Sequence, residues 1–345
     1  MEQVDVVAVV GSCAPERARY ARRLAQQTRR MFVSAHQLAV SPDPIDEAAA
    51  LAAWADTSGG AVIEFPAETE PTELIGTLAA PDAATRLIRL VCVADAAHLR
   101  DDLDRESYAY RAAPPWRHAD ARQYIARAAL TVTQIEYASD IVLVNGDALP
   151  TEDLSTIMAL VSHLSPRARL RLHREVFEAG SEDEPYGAAQ ERPGWVAVLN
   201  GDLDPCMTDP HVSALRYDNV RPLHPGRLKR LLDDRIEPGE FGTVIRSGGF
   251  CRFATRSHVV AQWEHVGRMI SFHPVARDDD LAEDEDLLAL GQELAIIGVD
   301  LNRAALTAAL DEAALDDAEL ADGPAAWAAF ADPFPVWPTV ADRAE

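Results

Sequence analysis

Short apolar runs alternate with helix-type segments through the first half of the chain. The first run ends at Gly11, and apolar residues then recur at helical spacing as far as Leu24. A short second strand is predicted at 31–38, and longer apolar runs follow at 60–65, 89–95 and 140–147. Helix-type spacing fills the intervening segments, at 41–58, 72–78, 120–136 and 150–165. Apolar strands that alternate with helices predict a mostly parallel sheet with helices on both faces.

The second half of the chain has a different texture, with strands that meet at turns and fewer helices. The spacing predicts a strand over 195–205, a strand and then a helix over 213–234, and a long strand pair over 241–275. Acidic sequence with glycine and proline separates the halves. We therefore predict four regions: an α/β domain of the P-loop NTPase type at 1–177, a linker at 178–194, a smaller α+β domain at 195–318 and an acidic, aromatic-containing tail at 319–345.

The loop after the first strand lies where an α/β nucleotide-binding protein places its phosphate loop. That loop has a Gly, four residues and then Gly-Lys-Ser/Thr, in which N–H groups and the lysine hold phosphates and the hydroxyl holds Mg²⁺. Counted from Gly11, the last three positions are Glu16, Arg17 and Ala18, and Pro15 lacks an N–H group. The sequence therefore predicts the architecture of a nucleotide site without its chemistry. Because arginine can also pair with phosphate, a reworked pocket that uses Arg17 stays open as an alternative.

The charge balance narrows the classes of partner. The formal net charge is −24, which excludes general attraction to DNA, RNA or anionic lipid. The apolar runs stay short of the roughly 18 residues of a membrane span. The first strand begins at Val4 with no basic n-region or small-residue cleavage site before it, so we expect no secretory leader. The four cysteines show no C-x-x-C pairing and predict neither a disulfide framework nor a zinc ribbon. We expect a cytoplasmic protein with no membrane partner and no direct DNA binding.

Two segments are candidate partner-binding surfaces. Arginine or histidine alternates with apolar residues from 167 to 177, as in an edge strand or short helix. This strip is either a solvated face or a basic contact made by Arg167, Arg169, Arg171 and Arg174. The acidic end of the chain is either solvated or a clamp for a basic protein, anchored by its aromatic residues Trp327, Phe330 and Trp337.

The histidines give little support for a metal or catalytic site. His258, His265 and His273 lie close together in the sequence, but no carboxylate or thiolate completes a zinc set with them. His224 precedes Pro225 and is more consistent with the start of a helix than with a general base. We therefore predict no metal site and no catalytic residue.

One stretch near the end of the first half resembles a known family. Residues 134–147, QIEYASDIVLVNGD, are similar to the passage from helix to strand that leads into the Asn-Lys-x-Asp guanine signature of CobW-type metal-chaperone GTPases. Asn145 and Asp147 keep part of that signature, and Gly146 stands where the lysine would pack on the base.

Two earlier stretches carry the same resemblance. GAVIEFPAETEP is similar to the family's Glu-Thr-Thr-Gly-Leu-Ala-Asp-Pro stretch, with Glu64 and Pro71 matching and Ala67 at the glycine that senses the γ-phosphate. Asp95 ends a strand similar to one that ends in Asp-Ala in the family. The family's Cys-x-Cys-Cys metal motif is absent between Cys13 and Cys92. The resemblance implies a vestigial nucleotide site at Gly11, Arg17, Glu64, Asp95, Asn145 and Asp147.

The second half resembles the CobW C-terminal domain. Residues 221–225, RPLHP, are similar to the family's Arg-Pro-Phe-His-Pro, and 246–250, RSGGF, to its Arg-Ser-Lys-Gly-Phe. Together with the PGWV and LNG runs and the terminal ADPFPVWP, the match is closest to an actinobacterial subgroup described as ribosome hibernation-factor-recruiting factors.

The resemblance implies a function that the residues alone do not. It implies a non-enzymatic adaptor that brings a hibernation-promoting factor to the ribosome under zinc limitation, with no required cofactor. The alternative within the same family is a GTP-binding or GTP-hydrolysing metallochaperone in zinc homeostasis. A third possibility is a sensor that binds nucleotide without hydrolysis.

Overall fold

The computed structural model describes residues 3–111, 123–173, 185–187, 190–278 and 291–337. Contacts divide the chain into two units. The first contains residues 1–194 and 204–209, and the second contains 195–203 and 210–345.

The first unit is built on parallel strands separated by helices. Its strands are β1 (Val4–Val10), β2 (Met31–Val33), β3 (Ala61–Glu64), β4 (Thr85–Asp95), β5 (Tyr108–Arg111), β6 (Gln123–Ala126), β7 (Asp140–Val144) and β8 (Arg169–Leu172). Its helices are α1 (Ala14–Thr28), α2 (Ala35–Leu38), α3 (Pro44–Ala52), α4 (Pro71–Leu78), α5 (Leu99–Leu103), α6 (Arg127–Glu136) and α7 (Thr151–Leu164).

Six of these strands form one sheet in the order β2-β3-β1-β4-β7-β8, and every neighbouring pair is parallel. Val7 and Val9 of β1 pack against Ala21 and Leu24 of α1 on one face. Ala8, on the other face, is also fully buried. A strand that is buried on both sides requires helices on both sides, so the predicted α/β fold class is confirmed.

The second unit is an α+β domain. After α8 (Gly194–Asn200), its antiparallel sheet has the order β12-β11-β10-β13-β9. The strands are β9 (Val212–Asn219), β10 (Thr243–Cys251), β11 (Val259–Val266), β12 (Met269–Arg277) and β13 (Gln292–Val299). The helices are α9 (Pro225–Leu231), α10 (Arg303–Ala313), α11 (Asp317–Asp322) and α12 (Pro324–Trp327). Apolar residues of α9 and α10, including Leu228 and Leu310, cover one face of the sheet.

Four sequence-based element predictions were wrong in type or extent. The predicted strand at 195–205 begins as α8, because a short apolar run fits either period. The predicted helix over 120–136 starts only at Arg127, since residues 123–126 pair with β5. The long strand pair over 241–275 is three strands, and the strand at 31–38 ends at Val33. Ser34 then caps α2 in a capping box.

The helices of the structure bear on two further predictions, the lack of a membrane span and the acidic tail. Within the described residues, no helix has the length and apolar character needed to cross a membrane. The segment 319–345, predicted as an acidic tail, begins inside α11 and contains α12, and its described residues reach Trp337. Asp316 caps α11 in a capping box with Glu319.

His265 gives the second unit a defined pH dependence. Burial, assisted by the nearby Arg246 cation, lowers the pKa of His265 from 6.5 to about 4. The unfolded chain therefore takes up a proton below about pH 6.5 that the folded chain does not bind until about pH 4. We expect this residue alone to contribute about 2 kcal/mol less stability at pH 5 than at pH 8.

The measurement is urea unfolding between pH 8 and pH 5. His265→Gln should flatten the decline of the free energy of unfolding across that window, whereas His273→Gln, at an exposed site of β12, should leave the decline as in the parent chain. Equal declines in the parent chain and in His265→Gln would contradict this assignment.

Candidate functional site

The sequence-predicted nucleotide residues meet at one edge of the parallel sheet. Gly11 follows β1, Glu64 ends β3, Asp95 ends β4 and Asn145 follows β7. These strands are parallel neighbours, so their carboxyl ends point the same way. β1 lies between β3 and β4. The connection after β1 leads to β2 on one side of it, and the connection after β3 crosses to β4 on the other side. Such a switch point at the carboxyl edge is where open α/β sheets bind ligands.

The loop between β1 and α1 is short and spans residues 11–13. Gly11 has a φ of 141°, and a Cβ there would lie 2.1 Å from the carbonyl oxygen of Val93, so only glycine fits. Cys13 occupies the N-cap position of α1 without a side-chain cap bond, and proline stands in the first helical turn with Glu16. Pro15 removes a donor and Glu16 adds negative charge, which both weaken attraction for an anion.

An internal ion pair holds the side chain of Arg17. Its Nε donates to Oε1 of Glu64 at 3.3 Å, and its Nη1 donates to the carbonyl oxygen of Gly11. Both side chains are nearly inaccessible, at 4% and 5% exposure. The second carboxylate oxygen of Glu64 accepts from the backbone N–H of Ala35 at 3.3 Å. The cation at the phosphate-lysine position is therefore neutralised within the protein.

Asp95 and Asn145 form a second closed interaction. Asn145 Nδ2 donates to Asp95 Oδ2 at 2.8 Å, and the Asp95 Oδ1 accepts from the N–H of Ala97 at 2.9 Å. His98 Nδ1 lies 3.1 Å from the same Oδ2. Partial burial raises the pKa of Asp95, but hydrogen bonds from Asn145 and His98 outweigh it and the net pKa is lowered. The same contact raises the pKa of His98. The carboxylate is thus held ionised by neighbours on its own edge of the sheet.

Two cavities open at this edge. The larger, about 530 Å³, lies between α1 and the ends of β7 and β8 and is lined by residues that include Glu16, Asn145 and Asp147. The smaller, about 230 Å³, is lined by residues that include Cys13, His98 and Asp102. Burial, with Glu16 and Asp95 nearby, raises the pKa of the Cys13 thiol to about 12, which leaves it protonated and unreactive.

Two residues that sequence reasoning left without a role organise the smaller cavity. Ser12 Oγ donates to Asp102 Oδ2 at 2.9 Å, and Arg105 Nη2 donates to the other oxygen at 2.6 Å. Gln134 Nε2 donates to the carbonyl oxygens of Ala67 and Thr69, which fixes the loop after β3. Asp102 had no sequence signal, because it is one of several acidic residues in a polar helix. Gln134 stood in the family-like QIE run, and its position there could have indicated its role.

The residues at this edge do not fit GTP phosphates. The guanidinium of Arg17 is held by Glu64, Ala18 offers no hydroxyl for Mg²⁺, and Glu16 faces the larger cavity. Two residues predicted to bind guanine, Asn145 and Asp147, do line that cavity. Asp147 lies two residues after Asn145, whereas the aspartate of the Asn-Lys-x-Asp signature lies three residues after its asparagine.

The arginine strip lies on β8, at one end of the sheet order. Arg169 and Arg171 approach Asp140 of β7, at 3.4 Å and 3.6 Å. Arg167 is exposed beside them. Arg174 lies outside the described residues. The use of this strip as a partner contact stays a prediction.

The three tail aromatics are held by their own domain. Trp327 is buried beside Ala254 and Leu315, and its Nε1 donates to the carbonyl oxygen of Glu319 at 2.6 Å. Phe330 stacks on His224 with ring centroids 4.5 Å apart. Trp337 Nε1 donates to the carbonyl oxygen of Phe272 at 3.0 Å. Their predicted role as anchors for a partner stays untested, and each has an intramolecular contact in this structure.

The histidines are dispersed in structural roles. His224 accepts hydrogen bonds from Gly226 and Arg227 at the start of α9, as expected for a helix-start residue. His265 Nδ1 lies 3.1 Å from Ser247 Oγ in the buried sheet, and His273 Nε2 lies 3.1 Å from Ser271 Oγ. In the part of the chain that the structure describes, no cluster of three or more His, Cys, Asp or Glu side chains could hold a metal ion.

Comparisons with known proteins match this chain over parts of its length. Residues 212–314 match the family model described as the cobalamin synthesis protein cobW C-terminal domain. The zinc-regulated GTPase metalloprotein activator 1 of Dictyostelium discoideum is 30% identical over 147 residues, which span 40% of this chain and 30% of that relative. The chain thus aligns with less than a third of the relative's length. The second unit therefore contains a region similar to the cobW C-terminal domain.

Solved structures give a more distant likeness. The zinc-bound YjiA GTPase of E. coli aligns with 91% of this chain and 100% of its own, at 13% identity and a TM-score of 0.37. A zinc-bound triple mutant of YjiA aligns over the same shares, at 14% identity and a TM-score of 0.39. At these identities and TM-scores, the likeness carries no conclusion about the activity of this chain.

The Arg17–Glu64 pair should be important for stability because it is buried. Removing one partner leaves the other charge uncompensated, so Arg17→Ala should lower the free energy of unfolding by about 3–5 kcal/mol. Arg86 forms a partly exposed pair with Asp5, and Arg86→Ala should cost at most about 1 kcal/mol. Urea unfolding measures both.

A double variant separates charge from packing. Arg17→Met combined with Glu64→Leu removes both charges and keeps most of the volume, so it should recover much of the stability lost in Arg17→Ala. A loss in Arg17→Ala no larger than that in Arg86→Ala would contradict the structural role of the pair.

Proposed function

We propose that this chain is a CobW-like adaptor that acts without nucleotide turnover. The observation that carries the proposal is the buried ion pair between Arg17 and Glu64. An enzyme that transfers phosphoryl groups needs a free cation and a metal anchor at this loop. Here the cation is neutralised within the protein, and alanine stands at the anchor position.

Breaking the pair for the sake of a ligand would be costly. Glu64 would remain as a buried carboxylate whose other oxygen accepts from the N–H of Ala35. Released from Arg17, that charge would lack a compensating cation in a nearly inaccessible position. A phosphate that reached Arg17 would also approach Glu16. Both effects oppose the binding of nucleotide phosphates.

We propose further that the adaptor brings a hibernation-promoting factor to the ribosome under zinc limitation. The support is the resemblance of the second-half motifs to hibernation-factor-recruiting factors, together with the match of residues 212–314 to the cobW C-terminal domain. The name of the Dictyostelium relative, a zinc-regulated activator, is consistent with a link to zinc supply.

Charge limits how such an adaptor approaches a ribosome. A protein of net charge −24 is repelled by RNA as a whole, although salt screens that repulsion beyond about 8 Å. Contact must therefore be local, through a basic surface of this chain or through a basic protein partner. The exposed Arg167 and Arg169 on the β8 side are the candidates for contact near RNA.

A second candidate function is nucleotide binding within zinc homeostasis. The favouring observation is the cavity of about 530 Å³ beside Asn145 and Asp147, which is large enough for a base. Asn145 already donates its amide to Asp95, so a base would have to compete with that bond. A GTP-binding metallochaperone therefore remains the alternative rather than the conclusion.

Hydrolysis of GTP separates the two functions. We expect release of inorganic phosphate from GTP and Mg²⁺ to stay at the level of the buffer, because the metal anchor and the free cation are absent from the loop. The assay should be repeated with Asp147→Ala, an exposed position outside the core. Saturable turnover in the parent chain that disappears in Asp147→Ala would favour the metallochaperone.

Co-sedimentation tests the adaptor directly. With ribosomes from zinc-starved cells and hibernation factor, the chain should pellet equally with and without GTP. Replacing both Arg167 and Arg169 by alanine should lower the pelleted fraction severalfold, while Arg86→Ala, an exposed arginine elsewhere in the same unit, should not. Absence of pelleting under every zinc condition would remove the support for recruitment.

A further inference from the structure

The last described segment of the chain docks on the second unit in an extended form. In the segment 331–337, Asp332, Phe334 and Trp337 are partly buried, whereas Pro333 and Pro335 are exposed. Among the described residues, no backbone-to-backbone hydrogen bond joins this segment to the rest of the chain. The segment is therefore held by side chains, as proline-containing peptides are held in aromatic grooves.

Aromatic rings form the floor of the docking surface. Phe253 stacks on Phe334 with ring centroids 5.1 Å apart and planes at 10°, and on Trp337 at 5.9 Å and 27°. Phe272 meets Phe334 edge to face at 5.0 Å and also packs edge to face on Trp263. Both inserted rings thus contact aromatic side chains of the sheet domain.

Arg256 holds the segment from the side. Its guanidinium lies 2.9 Å from the carboxylate of Asp332 and donates to the carbonyl oxygens of Phe334 and Pro335 at 3.1 Å and 2.9 Å. The guanidinium carbon also lies 4.3 Å from the ring centroid of Trp337. One side chain therefore recognises an acidic residue, two backbone carbonyls and an indole. This is the chemistry of a peptide-binding site rather than of a general packing contact.

We propose that Arg256, Phe253 and Phe272 form a peptide-binding groove that the chain's own segment 331–337 fills, and that a partner protein fills it in exchange. The ligand is an extended peptide in which an acidic residue and a proline precede Phe and Trp anchors. This inference goes beyond the proposed function and does not depend on the nucleotide site.

The aromatic and cationic residues of the groove favour a bound peptide over an empty groove. If the segment left, the aromatic faces of Phe253 and Phe272 and the cation of Arg256 would be exposed to water. A peptide with the same acidic and aromatic groups would restore those contacts. The cis segment competes at an effective concentration of the order of millimolar, so it excludes weak ligands and admits tighter ones.

A peptide-binding experiment on the full chain tests the groove. The released variant carries Phe334→Ala and Trp337→Ala, which remove the inserted rings and leave Arg256 in place. The probe is a fluorescein-labelled synthetic peptide of residues 329–337, followed by fluorescence anisotropy. We expect the released variant to bind this peptide at least tenfold more tightly than the parent chain, in which the groove is occupied.

Matched variants show whether binding uses the groove. Arg256→Ala in the released background should weaken peptide binding at least tenfold. Arg235→Ala is the control, because Arg235 also pairs with carboxylates and lies 4.9 Å from an aromatic ring, that of Phe241, elsewhere in the domain. A peptide in which Asp332 is replaced by alanine should bind at least tenfold more weakly than the original sequence.

Each of the following results would overturn the proposal. The first is equal peptide binding by the released variant and the parent chain. The second is peptide binding by the released variant that survives Arg256→Ala. If the released variant fails to fold, Asp332→Asn serves as a second release variant, and absence of a gain there counts equally. A parent chain that dimerises through this segment, with the dimer lost in Arg256→Ala, would assign the groove to a second copy and overturn the partner assignment.

Discussion

The buried ion pair between Arg17 and Glu64 is the interaction on which the functional edge of the first unit depends. It connects the first turn of α1 to the end of β3, and Arg17 also reaches the carbonyl oxygen of Gly11. Neither charge could stay in this position alone, because a buried ion without a partner costs several kcal/mol. The loop that would surround a phosphate is therefore completed by protein groups. The charges of Arg17 and Glu64 are thus compensated within the protein.

Other polar side chains at that edge are also bonded to groups of the protein. Asn145, which would face a base, gives its amide to Asp95, and His98 adds a second contact to the same carboxylate. Gln134 holds the loop after β3 through two backbone carbonyls. Donors that serve ligands in a nucleotide enzyme here serve the protein.

In the second unit, Arg256 binds the segment 331–337, much as Arg17 binds the carboxylate of Glu64 in the first unit. Arg256 combines an ion pair with Asp332, hydrogen bonds to two carbonyl oxygens and a ring contact with Trp337. In a chain of net charge −24, this partly buried cation pairs with an acidic residue of the chain's own segment 331–337. Acidic sequence that reads as solvated can thus be docked when an arginine and aromatic rings receive it.

The sequence by itself determined the parallel sheet, because continuous apolar runs such as β1 and β7 must be buried on both faces. It also predicted where a phosphate loop would lie, since Gly11, Arg17 and Ala18 are positions of a local motif, and that prediction stays untested. It could not distinguish α8 from a strand, because a short apolar run fits both periods. Only the tertiary structure decided that Arg17 faces Glu64, 47 residues later, and that Arg256 receives Asp332, 76 residues later. Such pairings depend on which strands and segments become neighbours, and no local spacing encodes that.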